Sequence, residues 1–138
     1  MRVLLLKFCD YACRVDGAKG SVIGMFDTIG GPEFPLTHPT FFITAEFEFE
    51  PYESGSTAEV KMILIDEDGK QLMGVEGEFV IPRSIEGRPV TLFEMFRIDG
   101  LTFPRPGHYR LDVIYNGEPI AEARLALIQG PHPAGPPR

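Results

Sequence analysis

From Phe41 to Glu50 apolar and polar side chains alternate. Phe41, Ile43, Ala45, Phe47 and Phe49 share one parity, Thr44, Glu46, Glu48 and Glu50 share the other, and Phe42 alone breaks the rule. A period of two sets the first group on one face of an extended chain and predicts a half-buried β-strand, because helical spacing would scatter it. Shorter apolar or alternating runs follow the same logic over Val3–Cys9, Ser21–Ile29, Ala58–Ile65, Lys70–Ile81, Val90–Ile98, His108–Tyr115 and Ile120–Ile128. Turn chemistry separates them. Asp68-Gly69 and Asn116-Gly117 supply the positive φ that tight hairpins demand, and residues 15–20 form another turn. The link 30–39 carries Pro32, Pro35 and Pro39 and predicts an extended crossover between sheets. Residues 85–96 have an apolar spacing that imitates a helix, but Pro89 and the β-branched and aromatic residues favour a strand.

About eight strands with turn signals between them, and no helical crossover to build parallel pairs, predict an all-β fold. The expected architecture is an immunoglobulin-like antiparallel β-sandwich with Greek-key connections. One domain is expected over residues 1–129, followed by a Pro/Gly-rich tail, 130–138, that cannot join a ladder. Composition agrees. Fifteen Gly and 13 Pro in 138 residues suit many turns, and 43% hydrophobic with 24% charged residues is an ordinary globular balance. At this size no metal or disulfide is needed to hold a core.

The formal charge of −7 and the lack of any Lys/Arg run argue against a nucleic-acid partner. Cys9 and Cys13 are four apart. On a straight strand that is about 13 Å, too far to bridge unless a turn intervenes, and two reduced thiols in a cytosolic protein are expected. The apolar run at Val3–Leu6 ends at Lys7, short of a secretory signal core, and no stretch has the length of a membrane helix. A cytoplasmic protein with no membrane partner is expected.

No constellation announces catalysis, and no enzyme activity, metal or cofactor is expected. Asp66-Glu67-Asp68-Gly69 lacks the alternating ligands and distant Glu of a calcium loop and reads as a solvated turn. Glu46, Glu48 and Glu50 are alike and read as a solvated strand face rather than an acid/base pair. Gly24 and Gly30-Gly31 open no helix and so form no phosphate loop.

Two resemblances add to this. Residues 103–113 join the turn Pro106-Gly107 to Tyr109 and an alternating strand, and resemble the late strands of immunoglobulin-like and fibronectin-type modules. There a Tyr near the strand start anchors a corner through a backbone hydrogen bond, a part that falls to Tyr109. The chain also resembles a group of small uncharacterised bacterial proteins, through Cys9-Asp10-Tyr11-Ala12, the stretch Gly20–Ile29, and Phe34-Pro35-Leu36-Thr37-His38-Pro39. Pro106-Gly107-His108-Tyr109 and Gly117-Glu118-Pro119-Ile120 fit as well. That resemblance implies a cytosolic sandwich of unknown role.

Function is expected to lie in binding. Several strands carry apolar residues on both parities, so Phe42, Ile63, Ile65, Phe93, Met95 and Ile114 are candidates for an exposed interface, unless the 30–39 link folds over them. The first expectation is a module that self-associates or docks a protein partner through a sheet face or an edge strand. The second is a small-ligand binder with a pocket near Asp10, Tyr11, Asp27 and His38, the polar residues of the matched stretches. Against that pocket stands the plainer reading that Asp10 and Asp27 cap turns.

Overall fold

The computed structural model describes residues 1–131 and, apart from one short 3-10 turn at Pro51–Glu53, its regular elements are strands. In chain order they are β1 (Arg2–Val15), β2 (Lys19–Phe26), β3 (Thr28–Gly31), β4 (Leu36–His38), β5 (Phe41–Phe49), β6 (Thr57–Ile65), β7 (Gln71–Val80), β8 (Val90–Ile98), β9 (Leu101–Phe103), β10 (Gly107–Tyr115) and β11 (Glu118–Gln129). Every predicted strand is present, and the new features are extensions, splits and small additions. The part of the expected tail at 132–138 lies outside the described residues.

β1 runs on past Cys9 to Val15 because the chain folds back and supplies Lys19–Ile23 as its partner. Asp16 and Gly17 make that reversal with φ 53 and 75, the left-handed pair that matches hairpin twist. The predicted strand 21–29 is two strands. Residues up to Phe26 pair with β1, whereas Thr28–Gly31 pair with β11, and the Ala126 N–H donates to the Asp27 carbonyl at 2.8 Å where the chain changes sheets. β3 and β11 run parallel, which corrects the expectation of antiparallel pairing alone. No local crossover is required, because the two strands come from opposite ends of the chain. The proline link contributes β4, which pairs with β9 in a minor two-stranded sheet.

The remaining strands form a four-stranded sheet, β2-β1-β5-β8, and a five-stranded sheet, β3-β11-β10-β6-β7. Their inner residues meet in one core. Phe8, Phe41, Ile43, Phe47 and Phe49 come from the first sheet, and Met62, Leu64, Leu111, Val113, Leu125 and Leu127 from the second. All five inward positions predicted for β5 are fully buried. The β10–β11 hairpin closes on Asn116 and Gly117 with φ 47 and 87, the left-handed pair expected of an Asn-Gly turn.

At one end of the core the Tyr109 hydroxyl donates to the Arg105 carbonyl at 2.6 Å, while its ring stands edge-on to Phe103. This is the corner bond anticipated from the Pro-Gly-x-Tyr stretch. Burial pushes the Tyr109 phenol pKa up, so the hydroxyl keeps its proton and remains a donor. Replacing Tyr109 with Phe strands the Arg105 carbonyl and is expected to lower stability by about 1–2 kcal/mol. Chemical denaturation of the two proteins measures this, and coincident midpoints would contradict it.

Candidate interaction edge

Residues 21–26 of β2 read Ser-Val-Ile-Gly-Met-Phe, apolar on both parities, so a two-stranded ribbon cannot hide both faces. β1 pairs with β5 only as far as Cys9 opposite Phe42. Beyond that point the β1–β2 hairpin is held by its own ladder and by what it lies on. It distorts at Gly24, whose φ of 68 and crowding against the Asp10 carboxylate leave no room for a Cβ.

The hairpin folds over the outer face of the four-stranded sheet. Ala12 and Val22 join Cys9, Phe42, Phe93 and Met95 in a second, smaller apolar cluster. Near the turn, Gly20 sits so close to the Phe93 ring that any Cβ there would strike it. Arg14 Nη2 donates to the Phe93 carbonyl at 2.8 Å and pairs with the Glu94 carboxylate at 3.0 Å. Burying each phenylalanine is worth about 1.5–3 kcal/mol, whereas a solvent-accessible ion pair such as Arg14–Glu94 contributes less than about 1 kcal/mol. Apolar contact therefore holds the hairpin down, and Arg14 orients it. Within the cluster, burial pushes the Cys9 thiol pKa up, opposed by hydrogen bonds with Thr44 and the Tyr11 backbone. The thiol is a packing group there, and both cysteines are free.

Among the described residues the other face and outer edge of β2 are left uncovered. Among the described residues β2 pairs only with β1. Ile23 and Met25 are each 58% exposed and Tyr11, directly opposite Ile23, is 50% exposed. From Gly20 to Phe26 there is no charged residue and no proline. The other edges carry protection. β7 has Glu76 and Glu78, β8 has Glu94, Arg97 and the Arg14 bond to its backbone, and β3 is only four residues long and runs into Pro32. Natural sheets blunt exposed edges with such devices; on β2 they are limited to Lys19 at its start and the kink at Gly24, and no charge interrupts the run from Gly20 to Phe26.

The expected interface residues divide. Phe42 and Phe93 are buried and Met95 is half-buried against them, and the cover is the β1–β2 hairpin rather than the 30–39 link. Ile63, Ile65 and Ile114 are half-buried on the five-stranded sheet, where their cross-strand neighbours are Asp112, Arg110 and Lys61. Charge thus interrupts the apolar residues on that face.

The expected pocket residues divide too. Asp10 and His38 border one shallow depression of about 280 Å³ with Gly24, Met25 and Thr28. Tyr11 instead meets Phe42 edge-on at 5.5 Å. Asp27 borders an adjoining groove with Lys7 and His108, and its carboxylate accepts the Thr28 hydroxyl at 3.0 Å. Among the described residues neither aspartate's side chain accepts a backbone N–H. Asp66 does that instead, accepting the N–H groups of Asp68 and Lys70 at 2.9 Å each. Arg105 pairs with Asp68 at 2.6 Å, and Glu67 accepts the His108 N–H at 2.8 Å, so the acidic turn spends its carboxylates on the protein itself. Glu48 pairs with Arg2 at 2.8 Å. Among the described residues no group of three His, Cys, Asp or Glu side chains is placed to hold a metal, and no helix is long and apolar enough to cross a membrane.

Sequence reasoning missed Ile23, Met25, Gly20 and Arg14. The signal was present in the both-parity apolar run of β2 and in Gly20, a small residue where two surfaces must touch.

His38 stands edge-on to Phe26 at 5.8 Å and to Phe41 at 5.4 Å. Burial lowers its pKa from the ordinary 6.5, and Asp10 opposes the shift. The native state therefore resists a proton that the unfolded chain accepts. Stability is complete above about pH 6.5 and falls as pH drops through that value toward the lower native pKa. His38→Phe, which keeps the aromatic packing, is expected to flatten the thermal-midpoint profile between neutral and mildly acidic pH. Parallel profiles for the two proteins would contradict this.

A family model described as a family of unknown function (DUF6941) matches residues 4–128, from β1 to the end of β11. Among curated proteins none matches the chain.

Proposed function

The chain belongs to this family of unknown function (DUF6941), and we propose that it is a non-enzymatic docking module that takes an extended protein segment along the free edge of β2. One observation carries the reading. Ile23 and Met25 on the edge strand, and Tyr11 beside them on β1, are about half exposed, and β2 has no charge or proline between Gly20 and Phe26. An incoming strand would gain ladder hydrogen bonds along β2 and apolar contact with alternate side chains.

The same proposal takes the fold to be an immunoglobulin-like sandwich with Greek-key connections. Three features support it. β1-β5-β8 follow the order of strands A, B and E, and β11-β10-β6-β7 follow G, F, C and C′. Tyr109 makes the corner bond of such domains. The chain crosses between sheets after β5, β7 and β8, as that order requires. The extra hairpin strand β2, lying outside β1, is the departure, and it is the element that carries the open edge. Two free cysteines suit a reducing compartment, and we place the protein in the cytoplasm.

A second reading takes the depression at Asp10 and His38 as a small-ligand site, favoured by the convergence of those two side chains. Metabolites that raise the thermal midpoint of the native protein but not of an Asp10→Asn/His38→Phe double variant would support it over docking.

The docking reading is tested by placing the photo-reactive residue p-benzoylphenylalanine at position 23 in the native host. The control places it at position 85, where Ile85 is 74% exposed in the loop between β7 and β8. A discrete protein adduct from position 23, and none from position 85, is expected. The absence of any adduct from position 23 would contradict it.

A further inference from the structure

We infer that the segment docked on β2 is β2 of a second copy of this chain, paired antiparallel about a two-fold axis at Ile23; this rests on the docking reading and names its partner. A two-fold interface must be self-complementary, so each residue on one side of the axis meets the residue equally far on the other. About Ile23 the strand passes that requirement. Val22 falls opposite Gly24, Ser21 opposite Met25 and Gly20 opposite Phe26, and Lys19 comes level with Asp27, the exposed residue just past the end of β2. Each pair beside the axis joins a smaller side chain to a larger one, or a Gly to a bulky residue. The only charged residues in the stretch, at its two ends, meet with opposite sign.

Other registers lose this. Moving the axis by half a residue, to lie between Val22 and Ile23, sets Lys19 against Phe26 and Asp27 against Ala18. Each chain carries a formal charge of −7, so two copies repel on average. A homotypic contact is favoured where carboxylates are absent or matched by cations, and the Lys19–Asp27 stretch meets both conditions. Lys19 is available for the exchange. Its present partner, Asp16, lies 3.4 Å away with both side chains about three-quarters exposed, a pair worth little in water. Gly24, the one residue of β2 at positive φ, falls opposite Val22. That side chain already packs inward on the Phe42 and Phe93 cluster, so the kink displaces no contact across the axis.

Sedimentation velocity on the purified chain over a concentration series tests this. A dimer is expected, and Ile23→Lys should abolish it. Lys19→Asp and Asp27→Lys set like charges against each other and should each weaken the homodimer about ten-fold or more. Mixing those two variants restores opposite signs at both ends, so a heterodimer as tight as the native dimer should form. That rescue also shows that both variants are folded. A monomer at every concentration would overturn the inference. So would a dimer unaffected by either charge reversal. A monomer that still yields an adduct to a different protein from position 23 would overturn self-pairing and leave the docking reading standing; loss of both dimer and adduct would remove both.

Discussion

The contact between Gly20 and the Phe93 ring is the constraint on which the outer face of this protein depends. β5 and β8 both carry phenylalanines on the parity that points away from the core, Phe42 and Phe93. Left in water they would form an apolar face of the kind that drives association. The chain removes that face with its own first hairpin. β1 continues past the sheet, turns at Asp16-Gly17, and returns as β2, laying Ala12, Gly20 and Val22 on the two rings. Only a glycine allows the backbone so near an aromatic ring, so a single small residue decides whether the ribbon can close. Arg14, bonded to the backbone of β8, fixes the angle at which it does so.

That closure has a second consequence. A hairpin that buries one face of β2 exposes the other, and because β2 is the last strand of its sheet its hydrogen-bonding edge is exposed as well. The apolar surface of the sheet is thereby moved rather than abolished, from a broad face around Phe93 to a narrow edge at Ile23 and Met25. A broad face accepts many partners loosely. An edge accepts an extended strand in a defined register, since backbone hydrogen bonds fix spacing and alternate side chains fix parity. The docking proposal thus follows from the same packing that hides the apolar face around Phe42 and Phe93.

Much of the fold was legible because β-structure is written locally. Alternation from Phe41 to Phe49, the Asn-Gly and Asp-Gly turns and the Tyr109 corner each follow from residues close together in the chain. The splitting of β2 from β3 was not legible. It depends on Ala126 reaching the Asp27 carbonyl, a contact between residues nearly a hundred apart. The parallel pairing of β3 with β11 escaped for the same reason. Of the residues expected at an interface, Phe42 and Phe93 lie buried beneath the β1–β2 hairpin, a cover that local sequence does not reveal. Both-face apolar strands were recognised in β6 and β8, but parity alone cannot say which second face another element covers. The same ambiguity holds for β2, where Ile23 and Met25 are exposed and Val22 is covered. Asp10 and His38 do converge, whereas Tyr11 and Asp27 were grouped with them by sequence neighbourhood rather than by the direction each side chain takes.

Closure of the β1–β2 hairpin on the sheet can be read from proton NMR of Gly20 and Phe93. It predicts strong nuclear Overhauser contacts between the Gly20 α-protons and the Phe93 ring, with those α-protons shifted by the ring current. Gly20 resonances at ordinary strand positions, with no contact to an aromatic ring, would mean that the hairpin stands free of the sheet, and would contradict the account from its first step.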